Sequence, residues 1–399
     1  MAGTWTDLTV AARFALRTLG RRLRGEVEAA PDLDAFRVGF EGALGEVGEA
    51  HVASCRWIDL PATEPPWRDT GVDVGAERGR DVTLFSFGRV YASKALDIWV
   101  QPKNQIWTRV GEKGNAGSSS RATQTFGPGG LGEDERAAGR LFLGNYFPND
   151  WKTRDGGERL QDDAVFQTVS GATRIAIVEW ASSARAGLAA LVSAGDPEGL
   201  ASGELARLDR ADAPPEGWHY LWHIGEGAVF EDVGERTIDC RVEGDVAILQ
   251  TPVDVPFAEG CSLEWEWQID ALPGVFREDS LPSHDYLSVA VEFDHGWDIT
   301  YYWSRELAPE TGFVCPLPNW QHREYHVVVR QGEEGLGQRH RECRDLSVDH
   351  RVHLDAHAPT PTRIVGVWLI ANSIFARRSG AGRFANIVLR SGDREIRVL

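Results

Sequence analysis

The run SHDYLSVAVEFDHGWDITYYWS, Ser283 to Ser304, alternates apolar and polar residues almost without a break. Period-two alternation sends successive side chains to opposite faces of a strand, so the run reads as a β-hairpin. Leu287, Val289, Val291 and Phe293 share one face of the first strand, and Trp297, Ile299, Tyr301 and Trp303 share one face of the second. The length of the connection decides whether those two rows coincide. A two- or four-residue loop would set Phe293 opposite Asp298 and put a carboxylate in the core. A three-residue loop, Asp294–His295–Gly296, pairs Phe293 with Trp297, Val291 with Ile299 and Val289 with Tyr301. It also puts Gly296 at the left-handed position such loops need. The second face then carries Tyr286, Ser288, Ala290 and Glu292 across from Ser304, Tyr302, Thr300 and Asp298, with Glu292 and Asp298 directly opposed.

The same period recurs along most of the chain. "DVTLFSFGRVY", "LDIWVQP", "QIWTRVG", "RLFLGNYF", "AVFQTVSG" and "TRIAIVEW" read as strands, as do "WHYLWHI", "RTIDCRVEG", "VAILQTPV", "SLEWEWQID", "YHVVVRQG", "IVGVWLIA" and "FANIVLRSG". Helical spacing is confined to about Asp7–Arg24, about Asp32–Leu44, Ala181–Leu208 and the short Ser347–His357. The Pro-rich stretch Arg210–Trp218 is the best domain break. The expected fold is therefore mainly β. It comprises two β-sandwich domains of jelly-roll or concanavalin-like kind with a few peripheral helices. The expected boundaries are a helical segment 1–50, a lectin-like sandwich 51–209 with a helical tail, and a concanavalin-like sandwich 210–399.

Composition excludes several functions. Acidic residues number 60 against 42 basic, for a net charge of −18. Such a surface repels phosphate backbones, and no basic block with interleaved aromatics occurs, so nucleic acid is not an expected partner. No apolar run is long enough for a membrane span. The amino-terminal stretch lacks a basic start and is interrupted by Arg13 and Arg17. No cleavable signal peptide is read from it, and the expected location is cytoplasmic. The five cysteines are widely spread without a CxxC pair, which points to reduced, mostly buried thiols. No phosphate loop, dinucleotide fingerprint or GxSxG elbow is present.

What remains is the second face of the hairpin sheet. Glu264 and Glu266 alternate with Trp265 and Trp267 on a neighbouring strand and extend the same polar pattern. Tyr286, Glu292, Asp298, Tyr302, Glu264 and Glu266 are thus the candidate ligand contacts, with carboxylates to accept hydroxyl protons and tyrosines to stack on a ring. The leading expectation is non-catalytic recognition of a carbohydrate or other polyol. The alternatives are a glycan-active hydrolase or lyase using Glu292 and Asp298, or an assembly protein whose Trp-rich sandwiches dock protein partners. Directly opposed strand carboxylates sit closer than the ~5 Å or more that glycosidase pairs use. His350, His353 and His357 line one side of the short helix, a spacing that can hold zinc.

Two resemblances add to this. "CSLEWEWQID", "HDYLSVAVEF", "DITYYWSRELAPETGFVCP", "HVVVRQGEEGLGQRHRECRDLSVDHR" and "IVGVWLIANS" together resemble the bacterial domain of unknown function 3047, over about Phe230–Leu389. That resemblance implies a concanavalin- or jelly-roll-like sandwich and brings no activity. "DTGVDVGAERGRDVTLFSFGRVYAS", "WTRVGEKGNAG" and "GRLFLGNYFPNDW" are distantly similar to the calcium-dependent galactophilic lectins of bacteria. In that family calcium follows the "LFL"-type strand, so the resemblance implies Asn145, Asn149 and Asp150 as its oxygen ligands here. Calcium is the one cofactor this raises.

Overall fold

The computed structural model describes residues 3–75, 79–114, 119–145, 163–210, 213–225, 228–317 and 320–399. It is mainly β and divides into two compact units. The N-terminal unit is Ala15–Asp212 with Ile224–Gly227. The C-terminal unit is Ala213–His223 and Ala228–Leu399 with Met1–Phe14.

The N-terminal unit follows the alternation closely. Its elements are α1 (Gly3–Leu23, residues from Ala15 on), α2 (Leu33–Val47), β1 (Val52–Pro61), β2 (Arg68–Val74), β3 (Val82–Ser93), β4 (Ile98–Val100), α3 (Pro102–Gln105), β5 (Ile106–Val110), β6 (Ser119–Ser120), β7 (Thr123–Phe126), α4 (Glu133–Arg136), β8 (Gly139–Asn145), α5 (Asp163–Thr168), β9 (Ser170–Trp180), α6 (Ala184–Ser193) and α7 (Leu200–Asp209). One sheet runs β1-β9-β3-β4 with β7 paired to β3, and a second runs β2-β8-β5. Leu84, Ile106, Leu141, Leu143, Ile175 and Ile177 fill the space between them. The other face of the larger sheet is covered by helices. Phe36 and Phe40 of α2 pack on Trp57, Phe85 and Phe87. Asp32 caps α2, its carboxylate accepting the Asp34 and Ala35 amides.

One expected strand is not a strand. "AVFQTVSG" begins with helix α5, and pairing starts only at Ser170. The β3 ladder takes up the chain from Ser170 to Glu179, and Asp163–Thr168 before it are helical, so local β-propensity is overridden.

The C-terminal unit contains β10 (His219–Ile224, to His223), β11 (Phe230–Asp232), β12 (Thr237–Glu243), β13 (Val246–Pro256), β14 (Ser262–Ala271), β15 (Tyr286–Phe293), β16 (Asp298–Ser304), β17 (Gly312–Val314), β18 (Glu324–Gln331), β19 (Arg339–Asp345), α8 (Leu346–Asp349), β20 (Arg363–Asn372), β21 (Ser379–Ser391) and β22 (Arg394–Arg397). Its first sheet has the order β17-β18-β16-β15-β20-β13-β10. Its second has β11-β12-β21-β14-β19, with β22 on β21. Between them lies one apolar core. Trp265 of β14 stacks on Tyr301 of β16 with centroids 5.5 Å apart, and Trp267 lies 6.0 Å from Trp303. The β15–β16 register is the one that parity requires: Val289 faces Tyr301, Val291 faces Ile299, and Glu292 faces Asp298. The Phe293 amide donates to the Trp297 carbonyl at 2.9 Å, and Gly296 has φ 93°. Among the described residues no helix is long and apolar enough to cross a membrane.

Candidate functional site: the polar face of the hairpin sheet

The second face of β15, β16 and β18 is polar as read, but it is closed. Asp298 is 1% exposed, Tyr302 0%, Tyr286 3% and Glu292 7%. An open tray of carboxylates was the expectation. In the structure the segment Pro273–Asp285 and the connection between β17 and β18 contribute side chains that contact this face. Glu278 accepts hydrogen bonds from Ser304 Oγ (2.5 Å), the Arg305 amide (2.7 Å) and Tyr302 Oη (3.4 Å). Burial pushes its carboxyl up to about 8 against the pull of those donors.

Glu264 and Glu266 are not part of this face. Trp265 and Trp267 point into the sandwich, so their acidic neighbours point outward from the other sheet. There Glu264 pairs with Arg341 and Arg390, and Glu266 with Asn386 and Arg339. The six candidate contacts therefore fall on two opposite surfaces, four on one and two on the other.

At one end of the closed face, β18 contributes Glu324 and His326, two residues apart and so on the same side. The chain before β15 contributes His284, and the chain before β18 contributes Cys315. All four side chains are buried, and one donor atom from each lies within 4.8 Å of the others. Cys315 Sγ is 3.5 Å from His284 Nε2, and His326 Nε2 is 3.5 Å from Glu324 Oε2. The His284 Nδ1–H donates to the Glu278 carbonyl at 2.6 Å, which leaves the Nε2 lone pair aimed at the cluster. Tyr286 and Thr300 hydroxyls approach Glu324 Oε1 at 3.3 and 3.4 Å. Phe313 stacks on the His326 ring at 5.1 Å and 12°.

Neither ring nitrogen of His326 has a hydrogen bond, although the residue is 0% exposed. Burial drops the His284 imidazole to about 3, so it is neutral. Burial, then the charge of Glu324, raises the Cys315 thiol and the Tyr286 phenol well above their ordinary ranges. Burial also pushes the Glu324 carboxyl up, but His326, 3.5 Å away, pulls it down by more, to about 2.

At the other end, Glu292 Oε2 accepts the Gln250 amide (2.8 Å) and the Trp368 indole N–H (3.0 Å). Gln250 Oε1 in turn meets His219 Nε2 at 3.1 Å on the exposed rim. These groups converge on Gly366, where a Cβ would lie 2.9 Å from Glu292 Oε2 and 3.1 Å from Trp368 Nε1. Both ladders beside Gly366 are irregular, between Glu292 and Phe293 and between Pro252 and Val255. Trp320 packs edge-on against Trp222 and Trp368.

The other sequence candidates are placed as follows. His350, His353 and His357 do not converge. His350 meets His295, His353 packs on Tyr325, and His357 packs on Trp297, because a π-turn at His350–Leu354 changes the expected angular spacing. Asn145 is buried at the end of β8, where its Nδ2 donates to the Pro61 carbonyl at 2.8 Å and its Oδ1 lacks a hydrogen-bond partner. Asn149 and Asp150 lie outside the described residues. The sequence reading missed His284, Cys315, Glu324 and His326 as a group. The Glu-x-His pair on a strand was the available signal.

Residues 228–388 match the family described as "Protein of unknown function (DUF3047)". No curated protein matches the sequence. Among solved structures, the chain is similar to the xyloglucanase domain of NopAA, a type three effector from Sinorhizobium fredii. That match has 7% identity and a TM-score of 0.31, over 45% of this chain and 96% of that one. It is also similar to the EclA N-terminal domain, a PllA-like lectin, with 12% identity and a TM-score of 0.23, over 33% of this chain and 99% of that one. A third similarity is to an ENZbleach xylanase mutant, with 10% identity and a TM-score of 0.27, over 45% and 83%.

Proposed function

We propose that the C-terminal unit recognises a carbohydrate or other polyol, without turning it over, at the Glu292 end of its polar sheet face. The observation that carries the reading is the chain His219–Gln250–Glu292–Trp368, which leads from the rim to a buried carboxylate fixed by two N–H donors. Carboxylate and amide groups side by side match vicinal hydroxyls, each of which both donates and accepts. The indoles of Trp222, Trp320 and Trp368 are buried beside these groups and packed edge-on, a rigid support beneath them. Asp298, Tyr286 and Tyr302 continue the same face inward. Glu264 and Glu266, on the outer face of the other sheet, would make a separate contact.

The test is binding of the full-length chain to a glycan array, followed by calorimetry on the best ligands. Glu292→Gln and Gln250→Ala should each weaken binding by about tenfold or more, the worth of a charge-assisted hydrogen bond. Unchanged binding in both variants, with native near-UV circular dichroism, overturns the reading. Turnover of a bound glycan that disappears in Glu292→Gln would replace recognition by catalysis.

A further inference from the structure

The structure assigns a second site to the same unit: we propose that His284, Cys315, Glu324 and His326 bind one divalent transition-metal ion, with zinc the best fit. The argument begins with spacing. Tetrahedral zinc holds nitrogen and oxygen at about 2.0–2.2 Å and thiolate sulfur at about 2.3 Å, so neighbouring donors stand about 3.4–3.6 Å apart. The Cys315 sulfur to His284 nitrogen edge and the His326 nitrogen to Glu324 oxygen edge are each 3.5 Å. That is long for a hydrogen bond and right for two ligands sharing an ion.

Orientation agrees with spacing. The Nδ1–H of His284 is held by a backbone carbonyl, the usual outer support of a metal-bound imidazole. Glu324 has one oxygen approached by two hydroxyl groups and the other turned to His326, the arrangement of a monodentate carboxylate. His326 is clamped by Phe313, and its nitrogens make no hydrogen bond of good geometry: Nε2 stands 3.5 Å from Glu324 Oε2, a costly arrangement for a fully buried polar ring unless an ion lies between them. The donor set decides the metal class. One sulfur and two imidazoles select a borderline ion such as zinc over calcium or magnesium, which want six or more oxygens.

A Cys–His nucleophile is the competing explanation of the Cys315–His284 contact. The sulfur is 1% exposed, so no substrate reaches it in this structure. A dication held at this spacing would stabilise the thiolate directly.

The site is independent of the polyol reading and is tested without any glycan. Full-length protein is stripped with a chelator, checked by near-UV circular dichroism, and titrated with Co²⁺ and then Zn²⁺. The expected result is about one ion per chain, a tetrahedral cobalt spectrum, and a thiolate-to-cobalt charge-transfer band. Cys315→Ser should abolish the charge-transfer band. His326→Ala should weaken binding on the order of a hundredfold or more. Cys343→Ser, an exposed thiol on β19, should change neither. Folded wild-type protein that takes up no cobalt overturns the proposal, and so does a band that survives Cys315→Ser. The wild-type titration decides the matter even where a variant fails to fold.

Discussion

The outer faces of the two C-terminal sheets look alike in sequence and differ in physics. On β14 and β19, Glu264, Glu266, Arg339 and Arg341 stand outward and answer one another across the ladder. Water and the opposing charges satisfy them, so any one pair counts for little. On β15, β16 and β18 the corresponding positions hold Glu292, Asp298, Thr300, Tyr302, Glu324 and His326, all covered. There each donor or acceptor must find a specific partner or remain costly. Alternation locates the second face of a sheet, but whether that face is wet depends on what the rest of the chain lays over it.

The largest expected effect that could break this comparison is Glu278→Ala. It would strand Ser304 Oγ, the Arg305 amide and Tyr302 Oη in the interior, at a cost of about 2–4 kcal/mol. Denaturant unfolding followed through the C-terminal tryptophans measures it. A loss under about 0.5 kcal/mol would mean that this face behaves like the charged surface of the other sheet. His326→Leu sharpens the contrast further. In chelator it takes the imidazole away from the buried Glu324 carboxylate 3.5 Å off and should cost about 1–3 kcal/mol. In zinc the gap to the wild type should widen, because the variant also forfeits the bound ion's contribution. Parallel melts with and without chelator read both halves.

Glu264→Gln should be the mildest, within about 0.5 kcal/mol at neutral pH. Its trace is in acid. The Arg341 hydrogen bond, with help from Arg390, holds the Glu264 carboxyl below its ordinary value of 4.5. That stabilisation is present above 4.5 and is lost as pH falls through the lower folded value. The variant should therefore show a flatter acid limb in a stability-versus-pH curve. An unchanged limb would remove Glu264 from the acid response.

The hairpin shows how far local pattern reaches. Parity alone fixed Val289 against Tyr301 and Glu292 against Asp298, because one extra or missing residue would have buried a carboxylate. Strand β19 shows the opposite: RHRECRD has no apolar row to announce it, and it forms because β14 offers a ladder beside it. Helix α5 is the reverse error, a β-prone run that folds as a helix. The Glu292–Asp298 pair was legible in the candidate site for the same parity reason. Its burial was not, and neither was the separation of Glu264 and Glu266 from it.

By itself, then, the sequence determined the β class, the core-facing rows and the register at Asp294–Gly296, since side-chain period and loop length act between near neighbours along the chain. Only the tertiary structure decided that the polar face is closed and that His284 and Cys315 meet Glu324 and His326 there. Those contacts join residues up to 42 positions apart through strand order and covering segments, and no local periodicity encodes that.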